Sequence, residues 1–227
     1  MNKNSKSEII VGLIRFILVS LIFSFILFFS AGSIKYFNGW IFIGSFFLPD
    51  FLIIIYLAIK DPELLLKRLK SQEKEKTQKI FNLIFRITAI IILITSGLDY
   101  RFQWSNIPIW LVITSATIMI FGFILSFVVM KQNRYASRVI EKQKGQKIID
   151  TGLYSVIRHP MYLSAILIFC PTPLVLGSFY AFILCIIIVP FLLAIRIMNE
   201  EKVLQQNLMG YPEYMKKVKY RLIPFIW

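Results

Sequence analysis

The 227-residue chain carries one histidine, His159, set between Arg158 and Pro160 in the stretch "GLYSVIRHPMY", with Tyr154 and Tyr162 close by. Imidazoles and phenols are hydrogen-bonding groups, suited to orienting a polar ligand. A second set of candidates follows in "RIMNEEKV", where Arg196 and Glu200 sit four residues apart. On a helix that spacing puts them on one face. The planar fork of the arginine suits a carboxylate, and a glutamate can take an ammonium group. With one histidine and with Cys170 and Cys185 both inside apolar runs, zinc bound by the usual ligands is excluded, and no disulfide is expected. No nucleophile is paired with a base. What these residues can do is chemistry by positioning, holding two molecules in line and keeping water away.

The elements that must position them are apolar. Hydrophobic residues make up 57% of the chain and charged ones only 17%, which places it among polytopic membrane proteins. Six runs are long enough to cross a hydrocarbon core: Ile9 to Ala31, Trp40 to Ile59, Ile80 to Leu98, Pro108 to Val129, Met161 to Gly177 and Phe179 to Met198. The expected fold is therefore all-α, with about six transmembrane helices and the fifth and sixth as a hairpin. The fifth run is interrupted by Pro171 and Pro173, and only Gly177 and Ser178 separate it from the sixth. The first run is too long for a removed signal peptide and reads as a retained anchor.

Lysines and arginines fall in the successive intervals between runs as 2, 1, 7, 1, 7, 0 and 6. That alternation is the positive-inside pattern and predicts both termini on the cytoplasmic side. The net charge of +14 is thus mostly topology, with attraction to anionic membrane lipids secondary, and nucleic-acid binding is rejected. Composition divides the chain into residues 1–130, spans with a charged inner loop at 60–79, and residues 131–227, polar segments around a hairpin at 161–198. In that inner loop, "DPELLLKRLK" gives Asp61 as a cap, Pro62 at the first helical position and a leucine stripe expected to lie along the interface.

Asp50 follows Pro49 near the middle of the second run, where an ionised carboxylate costs at least about 2.5 kcal/mol. It must be neutral or partnered. Arg15 and Arg86, each about two turns inside their spans, are within reach because long side chains snorkel. A structural ion pair or a capped proline kink is the preferred reading, with a role toward substrate as the alternative.

From Lys142 the sequence reads "KQKGQKIIDTGLYSVIRHPMYLSAIL", and after the hairpin "RIMNEEKVLQQNLMGYPEYMKKVKYRLIPFIW". Together these resemble the isoprenylcysteine carboxyl methyltransferase family, chiefly its bacterial membrane branch, and more distantly the phospholipid methyltransferases. The elements concerned are G-x-Y at Gly152 and Tyr154, R-H-P-x-Y at Arg158 to Tyr162, R-x-x-x-E-E at Arg196 to Glu201, and Gly210 to Tyr214 with "YRLIP". The resemblance covers roughly Arg134 to Trp227. It implies methyl transfer from S-adenosylmethionine in a cytoplasmic pocket, without metal. By the same resemblance Gln146, Lys147, Ile148, Ile149, Tyr154, His159, Pro160, Met161, Tyr162 and Glu200 would form the cofactor site.

Arg196 would orient a lipophilic or lipidated acceptor, making Arg196 and Glu200 the expected catalytic pair, with Glu201 a structural neighbour. For Arg158 a role in the site is left open, since a basic residue flanking a span is expected from topology alone. Pro160 is expected to hold His159 extended and to open the next helix, and Pro190 to bend the last one and open a lateral gap. The expected location is the plasma membrane of a prokaryote. A carboxylate acceptor needs no base, which favours it mildly over an amine. The alternatives are a phospholipid ethanolamine N-methyltransferase and, in another class, a sterol-type reductase or a non-catalytic membrane protein.

Overall fold

The structure is a computed structural model and describes residues 3–69, 76–135 and 147–227. Among the described residues all regular structure is helical. Five helices are long and apolar enough to span a bilayer: α1 (Lys3–Ala31), α2 (Phe37–Lys60), α4 (Lys76–Phe102), α5 (Ile109–Gln132) and α8 (Phe179–Asn207). Between α2 and α4 lies the short α3 (Pro62–Leu69), and after α8 comes α9 (Tyr211–Lys217). The protein is thus a multi-pass helical membrane protein, as the apolar runs required. Its lipid face is plain on α1, where Leu21, Phe25 and Phe29 are more than three-fifths exposed.

The expected fifth span takes a different form. Residues Pro160–Val175 make a shorter apolar segment, broken into α6 (Pro160–Phe169) and α7 (Thr172–Val175). Pro173 lacks the N–H that would have reached the Phe169 carbonyl, and Pro171 likewise cannot continue the ladder. The orphaned carbonyls are served locally. Cys185 Sγ donates to Phe169 O at 3.3 Å, and Thr172 Oγ1 to Ile168 O at 2.9 Å. The segment still crosses to the far end of the bundle, where the Tyr36 hydroxyl donates to the Leu176 carbonyl. Tight packing of α6 on α5 depends on Gly122, whose added Cβ would come within 3.0 Å of the α6 backbone.

Two of the inter-span turns at that far end converge on one carboxylate. Asp99, on α4 and 1% exposed, accepts from Ser105 N and Oγ, each at 2.7 Å, and from Ser178 Oγ at 2.5 Å. Ser178 in turn caps α8 by accepting from Ala181 N. The α4–α5 turn and the α7–α8 turn are thereby tied to each other, and Tyr36 beside them stacks on Tyr100.

At the other, basic end, Asp61 caps α3 as expected, accepting from Leu64 N at 3.2 Å, and also takes Arg134 at 2.7 Å. The α3 leucines depart from expectation. Leu64 and Leu65 are buried against Ile9, Leu57 and Met130, with Leu66 and Leu69 packed on the same cluster. The stripe meets protein rather than lipid because the ends of α1, α2 and α5 leave an apolar surface for it to cover. So placed, α3 closes one side of a large cavity.

Candidate functional site: a polar cavity at the basic end

The cavity measures about 620 Å³ and opens among α2, α3, α4, α5, α6 and α8. That volume lies within the range of about 300–1,000 Å³ typical of small-molecule sites. Its far wall is aromatic, with Phe46, Phe85 and Phe169, and its near wall polar.

The polar wall is held by a carboxylate that is itself out of reach. Glu201 is 2% exposed and accepts from Arg158 Nε at 2.7 Å and Arg221 Nε at 2.8 Å, while His159 Nε2 lies 3.2 Å from its Oε1. A carboxylate only accepts, so the proton on this edge of the imidazole sits on Nε2. Arg158 also donates to the carbonyls of Val218 and Lys219, both at 2.7 Å. The backbone repeats the link, with Arg158 N and His159 N donating to the Tyr220 and Arg221 carbonyls. Seven contacts therefore fasten the R-H-P turn to the tail after α9 and both to the end of α8. Arg158 is 6% exposed, so topology alone does not explain it.

From this base the next residues face inward. Pro160 opens α6 at its first position, as expected, but His159 has φ −127° and ψ 58°, short of the extended conformation expected of it. Tyr162, half a turn on, donates to Glu200 Oε2 at 2.5 Å and accepts from Arg196 Nε at 3.1 Å. The sequence spacing put Arg196 and Glu200 on one helical face; a phenol from α6 bridges them. Arg196 also donates to Asn82 Oδ1 at 3.3 Å and lies over the Phe81 ring at 4.8 Å, so α4 supplies its other support.

On the tail side, α9 follows Gly210, whose φ of 84° only glycine adopts readily. Tyr214 donates to the Tyr154 carbonyl at 2.7 Å, closing the rim. Burial pushes the Tyr154 phenol up to about 12, and raises those of Tyr211 and Tyr214 further. All three are therefore neutral at physiological pH, hydrogen-bonding groups rather than bases.

Of the residues expected in the site, Lys147, Ile148, Ile149, Tyr154, His159, Met161, Tyr162, Arg196 and Glu200 all line this one cavity. Pro160 does not line it, and Gln146 falls outside the described residues. His159 and Glu200 are thus on the walls of a common space although the whole α6–α8 hairpin separates them in the chain.

Residues 110–209 match the family model described as phospholipid methyltransferase. The matched segment is similar to that family. It is a little under half of the chain, and runs from α5 through α8, taking in Tyr154, His159, Tyr162, Arg196 and both glutamates. No curated protein matches the chain. The match supports a membrane methyltransferase; it does not reach α1 to α4, and it does not carry the narrower isoprenylcysteine carboxyl type.

Sequence reasoning missed Asn82 on the wall of this cavity and Arg221, which supports that wall through Glu201. Asn82 and Arg221 carried no local signal. Asp50 and Arg86 were singled out for each other, and both line the cavity, whereas Arg15 does not. Asp50 is partnered within the protein. The tail arginine, Arg221, was legible only as part of "YRLIP"; its contact with Glu201 spans twenty residues and a turn, which no periodicity reveals.

Proposed function

We propose that the protein is an S-adenosylmethionine-dependent methyltransferase acting on the polar head of a lipophilic acceptor that reaches the cavity from the bilayer. The observation that carries this reading is the convergence of His159, Tyr162 and Glu200 on one cavity inside a matched methyltransferase segment. The donor set fits the cofactor. An amino-acid end with an ammonium group finds a carboxylate in Glu200, and Tyr162 and His159 add hydrogen-bonding edges held in place by Arg196 and Glu201. When bound, the cofactor supplies a methyl group on a sulfonium, which is already a good leaving group. The chain's own residues then orient the two reactants, exclude water with an aromatic far wall, and need provide little proton transfer.

Arg196 is the acceptor-facing group in this reading. Its guanidinium is 7% exposed and fixed by Tyr162, Asn82 and Phe81, so it presents a set geometry to an anionic oxygen. An isoprenoid-bearing carboxylate suits it. A second reading, N-methylation of a phospholipid amine, is favoured by the family match and by the carboxylate of Asp50 on the wall, which could receive an amine's proton. The distribution of Lys and Arg supports a cytoplasmic placement of the cavity, and the proposed location is a prokaryotic plasma membrane.

Calorimetric binding of S-adenosylmethionine to detergent-purified protein tests the reading. Wild type should bind, and His159→Ala and Glu200→Ala should each weaken binding about tenfold or more. Failure of the wild type to bind would falsify it. Arg196→Ala should lose turnover with carboxylate acceptors by far more than it loses cofactor affinity through Tyr162; turnover at the wild-type rate would remove Arg196 from the acceptor side.

A further inference from the structure

Arg86 lies inside a span, on α4, and among the described residues has no hydrogen-bond or ion-pair partner. It lines the cavity and is also exposed at the protein surface. Its neighbours on the helix explain how it does both. Asn82, one turn before, and Phe85 belong to the cavity wall. Leu83, Ile87 and Ile90 are exposed apolar side chains of the lipid face. Arg86 stands on the line where the two faces of α4 meet, at a mouth of the cavity that opens toward lipid.

Depth and charge give this position a meaning. Asp50, Arg86 and Arg196 each lie about ten residues, roughly 15 Å, from the basic ends of α2, α4 and α8. The cavity wall carries the guanidinium groups of Arg86 and Arg196 and the carboxylates of Asp50 and Glu200, with Glu200 joined to Arg196 through the Tyr162 hydroxyl. An unbalanced cation at membrane depth is costly, and such residues mark ligand pathways by default. Asp50, Arg196 and Glu200 all have partners within the protein; Arg86, without one among the described residues, calls for an anion supplied from outside.

We propose that Arg86 is an acceptor-binding residue: it receives the anionic group of a membrane amphiphile at the lateral mouth and so holds the head of that molecule toward Arg196 and Glu200. The inference rests on the methyltransferase reading above and narrows its acceptor to an amphiphile bearing an anion near its reacting head. Two sources share that chemistry, a phospholipid phosphodiester and a carboxylate on an isoprenoid. Either would leave the bilayer head-first through the α4 mouth, its chain still in contact with Leu83, Ile87 and Ile90. The guanidinium binds such oxygens in a bidentate manner, which an ammonium cannot reproduce.

Full-length protein in detergent is titrated by calorimetry with dihexanoyl phosphatidylethanolamine and, separately, with N-acetyl-S-farnesylcysteine, in wild type, Arg86→Ala and Arg86→Lys. The proposal expects wild type to bind one of the probes, and that probe names the source of the anion. Arg86→Ala should weaken its binding about tenfold or more, Arg86→Lys should restore part of the loss, and S-adenosylmethionine affinity should be the same in all three. The proposal is overturned if Arg86→Ala binds the probe within about twofold of wild type, the result expected of a side chain that only snorkels to lipid headgroups. It is equally overturned if neither probe binds a protein that binds S-adenosylmethionine, or if Arg86→Ala loses cofactor and probe alike. A wild type that binds a probe but not S-adenosylmethionine would instead sink the methyltransferase reading and leave the role of Arg86 standing.

Discussion

The two ends of the bundle are each organised by one buried carboxylate, and they use it differently. Asp99 gathers serine hydroxyls and a backbone amide; Glu201 gathers two arginines and an imidazole. Neutral donors around Asp99 make a closed knot whose task ends with joining two turns. Around Glu201 the donors are charged or titratable and come from a turn, a helix end and the tail, and the next residue in sequence, Glu200, faces a cavity large enough for a ligand. A buried acid is therefore a poor guide to function by itself. What distinguishes the functional end is that rigid charge on one residue frees its neighbour to face a ligand.

Removing each carboxylate in turn should show this difference. The largest effect is expected of Glu201→Ala, which strands a buried Arg158 with only backbone carbonyls for partners. Loss of one member of a buried charge pair costs about 3–5 kcal/mol, so thermal unfolding in detergent should shift strongly and S-adenosylmethionine binding should vanish with it. If Glu201→Ala unfolded at the wild-type temperature, the fastening role would fail. A smaller loss is expected of Asp99→Ala, which leaves hydroxyl donors unpaired at about 1–3 kcal/mol, lowering the melting temperature without changing cofactor affinity. A change in that affinity would mean the far knot is coupled to the cavity.

The smallest effect concerns the rim, where Lys217 donates to Asp150 at 2.8 Å and holds that carboxyl below its usual range. Because the folded pKa is depressed, whatever stability the pair adds is present above the unfolded carboxylate pKa of about 3.9 and is lost as pH falls through the folded value. Asp150→Asn should thus melt slightly earlier than wild type at neutral pH and identically in acid. A difference that persisted below the carboxylate range would show that the residue acts through something other than its charge.

Much of this contrast was readable in the sequence on one side only. The spans, the cap at Asp61 and the shared face of Arg196 and Glu200 are local matters of length, spacing and residue type, and local rules reach them. The R-H-P turn and the E-E pair were visible as motifs, and spacing with the resemblance set Glu200 beside Arg196 and Glu201 apart as a structural neighbour; the two arginines and the imidazole that gather on Glu201 were not visible. The sequence left Arg158 open because a basic residue beside a span has an adequate explanation in topology, and burial is a property of tertiary packing. The α3 leucines were misplaced for the same reason, an amphipathic stripe being equally content with lipid or with protein. Asn82 and Arg221 meet the site from far along the chain, through contacts that carry no periodic trace.

The break between α6 and α7 has a chemical corollary. A peptide oxygen deprived of its amide by Pro173 leans instead on the sulfhydryl of Cys185, deep in hydrocarbon. Alkylation or peroxide attack at that sulfur would take away the hydrogen and leave the oxygen bare where no water can replace it. Thiol-directed reagents that reach this sulfur should therefore disturb the hairpin and, through Phe169, the aromatic wall of the cavity, and a serine in place of Cys185 should protect both.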